Sequence, residues 1–246
     1  FFHDISQYEE VLNTPLKADV AILYDYDSLC RFRIQRQSIL FDPVAEMQRL
    51  YKVFYDANIM VDIIPADRSI KDYKIVLVPQ MIIMDKALTD KLQTFAADGG
   101  SLILTYRTSV KDRDNNLVLG QIAPVEMNSL AGVYVEETES LQDYNAFLLK
   151  ECGTFKDQSG YGGIFRDMPT VDDAEVLYQY NDMFYQDYAA ITKNRHHKGA
   201  VYYIGCTPDE NTLCQVLETV IDEADIVKIS SPDGGFDTSD FKTAVF

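Results

Sequence analysis

The 246-residue chain carries 22 lysines and arginines against 39 aspartates and glutamates, a formal net charge of −17 at pH 7. Such a charge repels phosphate backbones and anionic lipid alike, so neither nucleic acid nor a membrane surface is an expected partner. With 47% hydrophobic residues and no apolar run near the length of a membrane span, the composition reads as a soluble globular protein of the cytoplasm or periplasm, long enough for one large core.

The chain opens on Phe1-Phe2-His3-Asp4, with neither an initiator methionine nor the basic-then-apolar pattern of a secretory leader, and is read as a segment of a longer polypeptide. Residues 18 to 24 (ADVAILY) form the short apolar run of a buried parallel strand, and the polar Asp25-Tyr26-Asp27-Ser28 that follows is read as a loop. Pro43 precedes a helix in which Val44, Met47, Tyr51 and Phe54 share one face. Strands follow at 61 to 65 and 74 to 79, each closed by a proline. A helix carrying Leu88, Leu92 and Phe95 then stops at Gly99-Gly100. Residues 101 to 106 (SLILTY) make a further buried strand that leads into the polar loop 107 to 116. From 136 to 173 the periodicity fades, and Gly160, Gly162 and Gly163 suggest irregular structure. Three strand-like runs, 176 to 180, 188 to 192 and 200 to 204, are joined by polar connections such as 193 to 199 and read as an antiparallel meander. Thr207-Pro208-Asp209-Glu210 has the form of a capping box with proline at the first helical position. The helix it opens carries Leu213, Val216, Leu217, Val220 and Ile221 on one face, and the tail ends in a strand-like run at 241 to 246.

Strands alternating with helices imply parallel neighbours, right-handed crossovers and an open sheet, whose ligands sit outside the carboxyl ends of the strands. Residues 25 to 28 and 107 to 116 therefore fall at the expected functional edge, with solvated turn chemistry as the alternative reading of both. Cys206 ends an apolar strand just ahead of a helix start, where the helix dipole can lower a thiol pKa. Its base is missing. His197 lies in the turn that starts the same strand, roughly 20 to 30 Å away at about 3.3 Å per residue, and His3 lies in an N-terminal segment of no evident structure. A thiol without a base is a weak catalyst. Cys30, Cys152, Cys206 and Cys214 form no CxxC pair and no zinc-spaced cluster with histidine, so no metal and no disulfide framework is expected. GYGG at 160 to 163 lacks the strand and helix that flank a phosphate loop, and no cofactor is expected. Thirty-nine acidic residues leave no carboxylate pair distinguished for glycosidic chemistry. The sixteen tyrosines, with no tryptophan, are read as half-buried sheet residues.

Taken together, ADVAILYDYDS, VDIIPAD, YKIVLVPQ, LQTFAADGGSLILTYRTSVKDRDN and AITKNRHHKGAVYYIGC resemble the middle domain of family-42 glycoside hydrolases, the β-galactosidases, from about residue 18 to 226. In that family the domain follows a catalytic (β/α)8 barrel and builds the subunit contacts of a homotrimer. Its fold is similar to class I glutamine amidotransferases. The resemblance thus implies an α/β fold with a three-layer, open, mostly parallel sheet and helices on both faces, flavodoxin-like, plus the antiparallel meander near the C-terminus. Working amidotransferases run a strand into a G-x-C-x-G elbow and end a later strand in a His-Pro-Glu-like triplet. Here residues 102 to 106 lead into Arg107-Thr108, and the later strand ends in Cys206-Thr207-Pro208-Asp209. The resemblance therefore implies a retired amidotransferase fold used for assembly. One departure is that the family often continues its strand-end motif with tryptophan, where this chain has Leu29-Cys30.

The implied organisation is a linker and trailing helix in 1 to 17, with the helix at 6 to 12, the trimerisation domain in 18 to 226, and the start of a C-terminal β domain or tail in 227 to 246. The implied partners are the parent's own catalytic barrel and the other subunits of a homotrimer. Asp25, Tyr26, Arg107, Lys111 and Asp112 are the expected contacts to a neighbouring subunit or barrel. No catalytic residue is carried over, because the family's two catalytic glutamates belong to the barrel. The implied function is a non-catalytic trimerisation domain of a polypeptide that hydrolyses terminal β-D-galactosides, this chain alone being inactive. The rival reading is a stand-alone amidotransferase-like enzyme or small-molecule binder with a strand-end pocket around Asp25, Arg107 and Lys111.

Overall fold

The computed structural model describes residues 17 to 153 and 159 to 226. Their chain order is β1 (Val20–Tyr24), α1 (Tyr26–Ile34), α2 (Pro43–Asp56), β2 (Val61–Pro65), β3 (Ile75–Val78), α3 (Lys86–Ala97), β4 (Ser101–Thr105), the short α4 (Asn128–Ala131), β5 (Val133–Ser140), β6 (Phe147–Glu151), β7 (Gly160–Val171), β8 (Glu175–Tyr180), β9 (Ala189–His196), β10 (Gly199–Ile204), β11 (Cys206–Pro208) and α5 (Glu210–Glu223). The helix expected at 6 to 12 and the strand expected at 241 to 246 lie outside the described residues. No described helix is long and apolar enough to cross a membrane.

The strands share one mixed sheet in the order β11-β7-β6-β8-β9-β10-β4-β3-β1-β2, with β5 also paired to β7. The half from β2 to β10 is parallel, with Val20 opposite Val61 and Ile75, Ile75 opposite Ser101, and Ala200 opposite Ser101. Every pairing beyond β10 is antiparallel. The expectation of a mostly parallel sheet is corrected accordingly. The segment from 136 to 173, read as irregular, supplies most of β5 together with β6 and β7. Its apolar residues alternate with polar and glycine positions, so one face is solvated and the antiparallel ladder, which tolerates that, forms.

The central parallel strands β1, β3 and β4 are buried along nearly their whole length because both faces are covered, whereas the edge strand β2 is partly exposed. Period-two alternation divides their side chains between two cores. Val20, Ile22, Ile75, Leu77 and Tyr202 pack with Leu50 and Phe54 of α2 and Leu213, Val216 and Val220 of α5. Ala21, Leu23, Val76, Leu102 and Tyr203 pack on the other side with Leu88, Leu92 and Phe95 of α3 and Leu130 of α4. Each fully buried aliphatic side chain of this kind contributes about 1.5–3 kcal/mol, so a charge at Ile22 would disrupt the sheet from its centre.

Helix boundaries follow local chemistry. Asp42 caps α2 by accepting from the amides of Val44 and Ala45, with Pro43 at the first helical position. Asp85 caps α3, and Gly99, at φ +117°, ends it. Two local readings are corrected. Residues 25 to 28 are not a loop: the Asp25 carboxylate accepts from the Ser28 amide at 2.7 Å and starts α1 directly at the end of β1. Thr207 is not the cap of α5, because residues 206 to 208 are drawn into β11 against β7, which leaves Asp209 to accept from the Thr212 amide. The connection read at 193 to 199 is also shorter, since β9 runs to His196 and only His197 and Lys198 separate it from β10.

Candidate functional site

The carboxyl ends of β1, β3, β4 and β10 are covered by a third apolar cluster. Phe32 of α1 and Phe41 meet Ile82, Ile83, Tyr106 and Phe165. Phe41 stands edge-on to Phe32 and to Phe165 at 5.0 Å between ring centres, and Tyr106 stacks on Phe165 at 5.0 Å. Such pairs add about 0.5–1.5 kcal/mol each beyond burial. A cleft beside Asp25, Ser28, Pro79 and Gln80 has a volume of about 10 Å3, room for roughly one water molecule.

The five residues expected at this edge are all there; the side chains of Asp25, Lys111 and Asp112 are engaged within the fold, whereas Arg107 Nε is buried without a hydrogen-bond partner among the described residues. Asp25 is the α1 cap. Tyr26 opens that helix with its side chain 71% exposed. Arg107 follows β4 in the left-handed conformation, φ +62°, and its amide donates to Asp167 Oδ2 at 3.0 Å. Lys111 Nζ donates to Gln35 Oε1 at 3.1 Å and to Asn115 Oδ1 at 3.0 Å, tying the 107 to 116 loop to the end of α1. Burial first, then the nearby Arg107 and Arg31 guanidinium groups, hold its ammonium below the usual lysine range. Asp112 closes the loop on itself by accepting from the Asn116 amide at 2.8 Å. Lys111 and Arg107 are thus brought together near the end of α1, whereas Asp25 and Tyr26 stand at its start.

Cys206 is fully buried beyond β10, and burial pushes its thiol well above the usual range. Beside it the Arg49 guanidinium, held by a two-pronged pair with Glu46 at 2.8 Å, donates to the Pro208 carbonyl. His196 and His197 sit at the other end of β10. His3 lies outside the described residues. Among those residues, no group of three or more histidines, cysteines or carboxylates could hold a metal ion.

The residues that organise this edge come from β7. Asp167, 1% exposed, accepts from the Arg107 amide, from the Tyr203 hydroxyl at 2.5 Å and from the Thr138 hydroxyl at 2.6 Å. Burial still raises its carboxyl above the usual range, against the opposing pull of Arg107 and these donors. Its neighbour Arg166 is also buried, its guanidinium 3.8 Å from the ring centre of Tyr185 and 4.3 Å from that of Phe147, with Glu139 and Asp182 at 3.6 and 3.7 Å. An Arg-Asp pair inside the apolar run GIFRDMPTV was the available signal, since charges in such a strand are retained only when paired.

Residues 18 to 227 match the family described as the beta-galactosidase trimerisation domain. The chain belongs to that family. The trimerisation domain is 32% identical over 218 residues to beta-galactosidase BgaA of Clostridium cellulovorans, covering 89% of this chain and 32% of that protein. It is 25% identical over 235 residues to beta-galactosidase BgaP of Planococcus sp., covering 94% and 35%. The chain thus spans about a third of the length of the curated relatives it matches. Its fold is that of the corresponding part of a crystal structure of beta-galactosidase from Bacillus circulans sp. alkalophilus, with a TM-score of 0.87, 24% identity, and coverage of 94% of this chain and 35% of that one.

Proposed function

We propose that this domain assembles the subunits of a homotrimeric β-galactosidase, a glycoside hydrolase acting on terminal β-D-galactosides whose catalytic barrel lies outside this chain. Its role is non-catalytic, and its carboxyl edge, with Tyr26 of α1 and Arg107, Lys111 and Asp112 of the following loop, meets a neighbouring subunit or barrel. Residues 18 to 226 make up the domain, with 1 to 17 trailing from the barrel and 227 to 246 entering a C-terminal β domain.

The observation that carries this reading is the filled carboxyl edge. Small-molecule sites need about 300–1,000 Å3, and the cleft beside Asp25 offers about 10 Å3. The same edge turns apolar side chains outward: Tyr26, Ile34 and Ile39 around α1, and Met183 and Phe184, 76% and 79% exposed, in the turn between β8 and β9. A surface of that kind suits a protein partner. The finer likeness to class I glutamine amidotransferases is supported by the parallel strand order β2-β1-β3-β4-β10, the flavodoxin-like pattern, and by the left-handed Arg107 two residues beyond the end of β4, near where an elbow nucleophile would stand.

Sedimentation of the full-length parent tests the proposal. The wild type is expected to run as a trimer, and Tyr26→Glu combined with Lys111→Glu to shift it toward monomer. A monomeric wild type would refute the assembly role. Turnover of a chromogenic galactoside by this chain alone would refute the non-catalytic one.

A further inference from the structure

At the opposite side of the sheet, at the amino ends of β3, β4 and β10, lies a groove of about 1320 Å3. Its walls are residues 67 to 74 ahead of β3, the end of α3, the β9–β10 hairpin and the end of α5. Seven of the chain's 22 basic side chains line it, against four acidic ones. In a chain of net charge −17 this is a local reversal of sign.

Three of the seven are committed internally and brace the walls. Lys193 pairs with Glu223 at 2.5 Å, Lys74 Nζ donates to the Asp225 carbonyl at 2.7 Å, and Lys91 donates to the carbonyls of Ala66 and Arg68. The other four, Arg68, Lys71, Arg195 and Lys198, are exposed and make no ion pair within the described residues. Two stand on the wall that Lys91 fixes, and two on the hairpin.

We propose that this groove binds a multiply charged phosphate compound, an oligophosphate or a phosphate ester of comparable charge, held by Arg68 and Lys71 on one wall and by Arg195 and Lys198 on the other. Guanidinium groups match phosphate oxygens two at a time and ammonium groups add point charge. The four cations repel one another while empty, and an anion long enough to touch both walls removes that repulsion. The overall negative charge does not forbid this. Inside the groove the basic side chains outnumber the acidic ones, and carboxylates farther away than the screening length of roughly 8 Å are largely screened. A long polyanion such as nucleic acid would still meet the acidic surface and be repelled. The site stands on different residues from the proposed subunit contacts, and its test does not depend on oligomeric state.

Calorimetric titration of the 246-residue chain with inorganic tripolyphosphate, at about physiological ionic strength, tests the assignment, with orthophosphate and citrate as comparison anions. Saturable binding is expected, at least about tenfold tighter for tripolyphosphate than for either comparison anion. Lys71→Glu with Lys198→Glu should weaken it by about tenfold or more, and Arg68→Gln with Arg195→Gln should weaken it without reversing charge. Lys150→Glu, on β6 and remote from the groove, should leave it unchanged, and unaltered melting temperatures identify each variant as folded. Absence of saturable binding, equal affinity for all three anions, or an equal loss in Lys150→Glu would overturn the proposal.

Discussion

Removing the Asp167 carboxylate should loosen the carboxyl edge more than any other single polar change. Three donors converge on it in the interior: the Arg107 amide at 3.0 Å, the Tyr203 hydroxyl at 2.5 Å and the Thr138 hydroxyl at 2.6 Å. Asp167→Ala leaves all three without an acceptor. Each hydrogen bond to a charged group is worth about 1.5–3 kcal/mol, but the carboxylate's own desolvation offsets part of that sum, so the expected net loss is about 3–5 kcal/mol. Asp167→Asn keeps an oxygen for two donors, and the Thr138 hydroxyl can turn to accept from the new amide, so the loss falls to about 1–2 kcal/mol. At about 2–4 °C per kcal/mol for a domain of this size, the alanine variant should melt about 6–20 °C lower. Urea titration of both variants measures the difference, and pH gives a second reading. Burial raises the Asp167 carboxyl in the folded state. An acid shifted that way adds stability that is complete below its unfolded pKa of about 3.9 and is lost as pH rises through the folded value. The margin of wild type over Asp167→Asn should therefore widen as pH falls from neutral toward about 4. An alanine variant as stable as the asparagine one, or a margin that stays constant or narrows on acidification, would refute the reasoning.

Gly132 sits at φ +68°, and an added Cβ would meet the Ala174 nitrogen and Asn194 Cγ at 2.9 Å. Gly132→Ala should cost about 2–4 kcal/mol in urea unfolding, against only about 1–2 for Gly120→Ala, where φ is +77° but nothing lies within 4 Å; equal costs would contradict the steric argument. Phe165→Ala should cost about 3–5 kcal/mol by opening the aromatic cluster, and the same titration would show less than about 1 kcal/mol if that cluster were merely surface decoration. Ellman's reagent on the native chain should modify the half-buried Cys30, Cys152 and Cys214 and spare Cys206, whose burial both blocks access and raises the thiol. Titration of all four thiols before unfolding would show that reading to be mistaken.

The parallel half of the fold was legible because its central strands are covered on both sides. Residues 18 to 24 and 101 to 106 are almost continuous apolar runs, and α2 and α3 between them announce themselves by single apolar stripes, by Pro43 and by Gly99-Gly100, whereas α1 has no such stripe. The antiparallel half was harder to read for a physical reason. In β6, Phe147 and Leu149 face the core while Leu148 and Lys150 face out, and β7 spends three of its first four positions on glycine. Neither pattern separates a strand from a polar loop without its neighbours. Gly162 has a close-packing reason that sequence alone hides, since its missing side chain makes room for the Phe147 ring. At the candidate site the chain positions were legible, but not their engagements. Asp25 was recognisable as a polar strand end, and its alternative use as a helix cap was decided by the chain continuing directly into α1. Asp167 was missed because its three donors come from β4's end, β5 and β10, far apart in sequence.

The packing of the carboxyl edge also bears on the proposed assembly role. In an open α/β sheet this is where ligands commonly sit, and here an apolar cluster covers the ends of four strands. Helix α1 contributes by turning Phe32 inward onto Phe41 and Phe165, which leaves Tyr26 and Ile34 of the same helix facing outward. A nine-residue helix with apolar groups on both sides gains little from solvent on its outer face. Its inner face is accounted for by the aromatic cluster, and in the proposed assembly its outer face is covered by a neighbouring subunit or barrel. The loop that carries Arg107 and Lys111 is tied to the same helix through Gln35, so a partner that presses on α1 meets both cations at once. In the proposed assembly the inward aromatics and the bond from Lys111 to Gln35 would therefore brace the face that a neighbour meets.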